Sequence, residues 1–266
     1  MMLRSYVWKR KKILRGFLDT RIRRRGTPYD PDAWWDDDFY TAGISDSRTI
    51  SPRKSELTSR YHYASVEMLL LRHLFHHPVP LGTAAVLDIG SGSGHWIDFW
   101  RSLGVASVDG IDVSRSAVEH LRGRYAGLDT VRVHQGRTRE AAAALERRFD
   151  VVSAIGVMFH IVDDGEWAES LSVLADRLVP GGILVVGGHF GLLDGIDVQA
   201  DRNGRVNKRL RSLRHWRRSL RERGFERFHL YRNDAYLRIR DTLPENSVLV
   251  AVKGAARREG PIRPGA

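Results

Sequence analysis

The sequence predicts an α/β fold, a doubly wound seven-stranded sheet that is mostly parallel with one antiparallel strand near the C-terminus and helices on both faces. Three observations predict it. From Ala84 onward short apolar runs alternate with stretches of helical periodicity, the pattern of parallel strands joined by crossover helices. A glycine-rich turn, Gly90 to Gly94, follows the first of those runs directly and leads into a helix. The last two runs are joined without room for a full crossover helix, which makes them antiparallel neighbours.

Taken in order, the expected strands are Ala85 to Ile89, Ser107 to Ile111, Val131 to His134, Asp150 to Ile155, Ile183 to Gly187, Arg227 to Arg232 and Ser247 to Val252. Ser114 is placed to cap a helix carrying Val118, Leu121 and Tyr125. Trp167, Leu171, Leu174 and Leu178 mark another, which Pro180-Gly181-Gly182 ends before the fifth strand. Asp163 with Glu166 reads as the capping box of that helix rather than as chemistry. A long basic helix is expected to carry Val206, Leu210, Leu213, Trp216 and Leu220 and to stop at Gly224. Ahead of the domain, a helix is expected from Tyr61 to about Phe75. Residues 26 to 57 mix Gly, Pro, Asp and Ser with aromatics, which predicts an arm ordered in part. Leu3, Tyr6, Val7, Ile13, Leu14, Phe17 and Leu18 fall on one face of a basic amphipathic helix. The tail from Gly254 is expected to be disordered.

The 266 residues suffice for one good-sized core with flanking arms, and the absence of cysteine removes disulfides, thiolate metal sites and a cysteine nucleophile. No apolar run approaches the roughly 20 residues needed to span a bilayer, so the expectation is a cytoplasmic protein, with peripheral contact at the inner membrane surface through residues 1–25 as a variant. The net charge of +11 is concentrated: residues 1–25 hold ten Lys or Arg, and residues 205–223 hold nine. Such clusters suit anionic partners.

The chemistry centres on Asp88-Ile89-Gly90-Ser91-Gly92-Ser93-Gly94-His95. Glycines there let a backbone approach a ligand closely, and the helix that follows presents free N–H groups. Asp112, at the end of the second strand, is placed to accept hydrogen bonds from both hydroxyls of a ribose. A dinucleotide site is the competing reading. The G-x-G-x-G spacing and the acid at Asp88 count against it.

Together these features resemble the class I, Rossmann-like S-adenosylmethionine-dependent methyltransferases over about Leu81 to Val252. The resemblance implies a catalytic domain at 59–253, preceded by the basic helix and arm at 1–58 and followed by a tail at 254–266. It implies S-adenosylmethionine as cofactor, with Asp88, Gly90, Gly92 and Gly94 around its amino acid part and Asp112 on its ribose. Ser91, Val113 and Ile155 complete the expected contacts. Family members often carry an acid after the third strand, and here that region reads His134-Gln135-Gly136-Arg137, so adenine is placed at Gly136 and Arg137. Pro180-Gly181-Gly182 matches the family's turn before the fifth strand.

His160 follows the fourth strand at a position where many small-molecule members of the family carry a histidine, and it is the first candidate for a base or an acceptor contact. His189, after the fifth strand, is the second; His95 and His62 are weaker. No H-E-x-x-H or close acid and histidine pairing supports a metal reading of these histidines, and no metal is expected. The expected reaction is methyl transfer to a small molecule or glycan, through a hydroxyl oxygen. Trp34, Trp35 and Tyr40 offer stacking for a sugar or packing for the arm. RNA methylation, and cofactor binding without turnover on a membrane-docked protein, are the alternatives.

Overall fold

The computed structural model describes residues 29–40, 42–50, 55–199, 205–232 and 247–255. The amphipathic helix expected within residues 3–18 lies outside them, as do residues 256–266 of the expected tail.

Seven strands form one sheet in the order β3-β2-β1-β4-β5-β9-β8: β1 (Ala85–Ile89), β2 (Ser107–Asp112), β3 (Val131–Gln135), β4 (Phe149–Ile155), β5 (Leu178–Gly188), β8 (Phe225–Arg232) and β9 (Ser247–Lys253). β1 to β5 pair in parallel, and β9 runs antiparallel to both of its neighbours. The seven-stranded, Rossmann-like architecture is therefore the expected one.

Alternate side chains of each central strand feed two cores, because a parallel sheet is covered on both faces. On one face Leu87, Ile89, Val152 and Leu184 pack with Trp167, Leu171, Trp216 and Leu220. On the other Val86, Val108, Val151 and Val185 pack with Leu70, Trp96, Ile97 and Trp100. The helices supplying these side chains are α3 (Glu56–His76), α4 (His95–Ser102), α5 (Arg115–Arg124), α6 (Thr138–Ala143), α7 (Asp164–Arg177) and α8 (Leu213–Arg221). They are preceded by α1 (Pro31–Ala33), a π-helical turn (Trp34–Phe39) and α2 (Asp46–Ile50). Side-chain caps set several helix starts: Ser55 accepts from Thr58 N, Ser114 from Ala117 N, and Asp163 from Glu166 N at 2.8 Å, the capping role expected of it.

Two expectations are corrected. The long basic helix from Val206 is in fact a strand, β7 (Val206–Leu210), followed by the shorter α8. β7 pairs antiparallel with β6 (Ile196–Gln199), and Ser212 restarts the chain as a helix by accepting from His215 N. Helical spacing of the apolar residues did not distinguish a five-residue strand joined to a nine-residue helix. Pro180-Gly181-Gly182 sits inside β5, beside a register shift against β4, because the preceding helix already ends at Arg177.

Candidate functional site

The strand order reverses between β1 and β4, and in open α/β sheets ligands bind at the carboxyl ends of strands beside such a point. The loop after β1 is shaped by its neighbour. Gly90 N and Ser91 N donate to the Ile111 carbonyl at 2.7 and 3.1 Å, and Gly92 N donates to Asp112 Oδ2 at 2.8 Å. Asp112 Oδ1 accepts from Ser114 N at 2.9 Å, so its carboxylate joins the first loop to the second. Gly90 and Gly92 have φ of 69° and 51°, and a Cβ on either would lie 2.2 Å from Val157 Cγ2 or 2.6 Å from Thr49 Cγ2. Only glycine suits this combination of backbone and space.

A cavity of about 540 Å³ opens along these strand ends, within the ~300–1,000 Å³ usual for small-molecule sites. At one end its wall holds Gly90, Ser91, Asp112, Val113, Gly136 and Arg137; Ile155 lies along it, and at the other end stand His160 and His189. Nine of the twelve expected site residues thus share one cavity. Asp88, Gly92 and Gly94 are set back from the wall. Asp88 is fully buried, with Ser153 Oγ donating to its Oδ1, and burial pushes its pKa up to about 7 against the Ser153 and Ser91 hydrogen bonds. Gly92 serves through the N–H it gives to Asp112, and Gly94 through its position at the start of α4.

Sequence reasoning named Trp35, Tyr40 and His62 of the roof but not Tyr29, Thr49, Ile50 or Tyr63. Tyr29, Trp35 and Tyr40 from the arm line the cavity with Thr49 and Ile50 of α2 and with His62 and Tyr63 of α3. Two polar anchors hold the arm down. Asp36 accepts from Ser114 Oγ, Arg115 N and Ser116 N at the start of α5, with backbone distances of 3.1 Å. Burial opposes its charge, yet these donors keep its carboxyl below the usual range. Asp32 pairs with Arg137 at 2.7 Å, while Asp30 and Glu166 stand 3.5 and 3.7 Å from the same guanidinium. The acids spaced through residues 30–37 were the available signal, though nothing in the sequence named their partners.

At the far end His160 is held from both sides. Its Nδ1 lies 2.7 Å from the Asn207 carbonyl, which can only accept, so Nδ1 carries the proton and Nε2 keeps a lone pair. Arg209 N donates to the Phe159 carbonyl at 2.7 Å, tying β7 to the same segment. Tyr29 Oη donates to the His160 carbonyl at 2.9 Å, and the Trp35 ring meets the imidazole edge-on at 5.0 Å. Burial, then Lys208, push the His160 pKa down to about 3, with His189 adding to the effect against the Asn207 bond. Asn207 and Lys208 also line this end, and neither was foreseen, because β7 was expected to be helical. His62 shares the wall as well. His95 is engaged by Asp46 and Glu67 at 3.0 and 2.7 Å and stacks on Tyr63. Burial opposes its protonation, but these two acids raise its pKa.

A glycine loop, a buried acid on the next strand and a deep cavity thus meet at the switch point of an open α/β sheet. Residues 86–182 match the family model described as a methyltransferase domain. Two ubiquinone biosynthesis O-methyltransferases match part of the chain. That of Methylobacterium nodulans is 34% identical over 86 residues, 32% of this chain and 34% of the relative. That of Brucella anthropi is 32% identical over 111 residues, 41% of this chain and 42% of the relative. The chain therefore spans between a third and a half of the curated relatives it matches. Among solved structures, magnesium protoporphyrin IX methyltransferase from Synechocystis with bound S-adenosylmethionine superposes with a TM-score of 0.57 at 17% identity, covering 86% of this chain and 100% of that one. An amino pentose methyltransferase of calicheamicin biosynthesis from Micromonospora echinaspora gives 0.54 at 18%, covering 76% and 92%. Both share the fold.

Proposed function

We propose that the chain transfers a methyl group from S-adenosylmethionine to a hydroxyl of a small molecule or glycan. The observation that carries this reading is the single cavity that joins the Gly90–Asp112 end to the His160–His189 end. The nucleoside end fits the donor: its glycines leave no room for a Cβ, and the Asp112 carboxylate has about four acceptor sites, of which two backbone N–H groups take two. Asp112 would take the ribose hydroxyls, Gly136 and Arg137 the base, and the Gly90–Ser91 backbone the amino acid part. Bound there, S-adenosylmethionine supplies an electrophilic methyl that needs no further activation.

The rest falls to positioning, which can supply several kcal/mol. With its tautomer fixed by Asn207, His160 presents Nε2 as an acceptor for the acceptor molecule's O–H. A pKa near 3 makes it a weak proton store, so aiming the hydroxyl is its better role. The Lys208 cation in the same wall eases loss of the hydroxyl proton to solvent, after which the oxygen takes the methyl and S-adenosylhomocysteine leaves, and Trp35 and Phe159 offer flat apolar surface to a ring or sugar. The oxygen acceptors named for the two curated relatives support the choice of oxygen.

Part of the basic cluster behind the RNA alternative is engaged within the fold. Within 205–223, Arg209 and Arg211 pair with Asp164 at 2.8 Å each, and Arg223 is bonded to Ser172 and to backbone carbonyls. Among the described residues no helix is long and apolar enough to cross a membrane. The test incubates the purified chain with methyl-labelled S-adenosylmethionine and fractionated extract, alongside calorimetry with S-adenosylhomocysteine and NAD. Heat with S-adenosylhomocysteine alone, and label in polar small molecules, support the proposal. Heat with NAD only, or label confined to RNA, overturns it.

A further inference from the structure

Away from the cavity, the C-terminal end of α3 meets the edge strand β8, and three histidines converge there. His73 lies in the last turn of α3, His77 caps it, and His229 lies on β8. One ligand atom from each lies within 4.8 Å of the other two. Ring centroids are 5.0 Å apart for His73 and His77, 4.2 Å for His77 and His229, and 5.3 Å for His73 and His229.

The arrangement has the features of a ligand set. His229 and Tyr231 are two residues apart on β8 and so face the same side of the strand. From that side Tyr231 Oη makes a hydrogen bond of 3.0 Å with His73 Nδ1. A hydrogen bond to the far ring nitrogen fixes the tautomer and orientation of a metal-binding histidine. With Nδ1 so engaged, His73 Nε2 is left buried and without a partner in a residue only 1% exposed. A polar nitrogen orphaned at such depth is costly unless a ligand engages it. His77 is exposed, so an ion can enter and keep a water as its fourth ligand.

We propose that His73, His77 and His229 form a three-histidine site for a divalent transition metal, with zinc as the ion their chemistry suits. Imidazole nitrogen favours zinc, nickel or copper over calcium or magnesium, which take oxygen ligands. The ion ties the end of α3 to the sheet edge. The other half of α3 carries His62, Tyr63 and Val66 of the cavity wall, so the clamp steadies a helix that the main site uses. Sequence reasoning missed the site because His229 stands more than 150 positions from its partners, and the metal search looked for local motifs.

The test uses the full chain, made without a polyhistidine tag and stripped with EDTA, and titrates it with zinc chloride by calorimetry and with cobalt(II) by visible absorption. The expected result is one equivalent bound at micromolar affinity or tighter, with a tetrahedral cobalt spectrum. H77Q and H229Q, changed at the less buried positions so that folding is retained by circular dichroism, should each weaken binding at least 100-fold. Y231F should weaken it about 10-fold or more, and H120Q on α5 should leave it unchanged. No uptake by the wild type, or equal affinity in H77Q and H229Q, overturns the proposal. None of these readouts depends on methyl transfer.

Discussion

The two ends of the cavity are built in different ways. The nucleoside end is made from backbone: Gly90, Ser91, Asp112 and Ser114 are linked by hydrogen bonds between two adjacent strand ends, within 25 residues of sequence. The acceptor end is made from side chains contributed by the arm, the β4 loop, the β5 end and β7, spread from Tyr29 to Lys208. Backbone geometry tolerates little variation, so the donor end is common to a large fold class. A wall of side chains from four segments can be altered one residue at a time, and under the proposed function acceptor choice would reside there.

The largest effect should come from the backbone end. Gly90→Val places a Cβ 2.2 Å from Val157 Cγ2 at a φ of 69°. Strain of this kind costs about 1–3 kcal/mol before any steric displacement, and the displaced Val157 lies in the wall itself. S-adenosylhomocysteine affinity should fall 100-fold or more by calorimetry, with the helical circular dichroism signal retained. Unchanged affinity would mean that the loop does not hold the donor.

His160→Ala separates the ends. Loss of an aimed acceptor should lower kcat about 100-fold, while donor affinity stays within a factor of two. The pH dependence sharpens this. A histidine whose folded pKa lies near 3, below its unfolded value of about 6.5, is neutral throughout the physiological range. Its contribution to stability is therefore present above pH 6.5 and lost as pH falls toward 3. The kcat profile should show no acid limb near pH 6.5 that disappears in the variant. Such a limb would make His160 a titrating base and break the positioning argument.

Legibility followed the same division. The five parallel strands, the antiparallel pairing of β8 with β9, and the glycine loop were readable because each is carried by local periodicity or spacing. His160 and His189 were readable as positions at strand ends. The burial of Asp88 beside Ser153 was not readable, since a motif gives the order of residues but not which way a strand side chain points. Residues 206–210 satisfied helical spacing as well as a strand's, and their pairing with Ile196–Gln199 decided the matter. With that hairpin went Asn207 and Lys208. The roof from Tyr29 to Ile50 depends on contacts such as Asp36 with Ser114, 78 positions apart, which no local pattern encodes.

Asp112→Asn tests the junction of the two strand loops with a smaller perturbation. The amide keeps one acceptor for a backbone N–H but loses the charge that strengthens bonds to a ribose. Donor affinity should drop about 10-fold, with little change in the KM of the acceptor. An equal loss for donor and acceptor would indicate a general collapse of the loop.

The smallest effect concerns the roof. Asp36 satisfies N–H groups at the start of α5, and its removal costs about 0.5–2 kcal/mol of local stability, as for other helix caps. Because Asp32 and Arg137 still hold the arm, Asp36→Ala should change donor affinity only two- to fivefold. The double variant Asp32→Ala/Asp36→Ala should lose more than the product of the single effects, since either anchor alone keeps Tyr29 and Trp35 against His160. Affinities that multiply simply would show that the arm docks in two independent pieces, and the acceptor end would then owe its enclosure to the sheet alone.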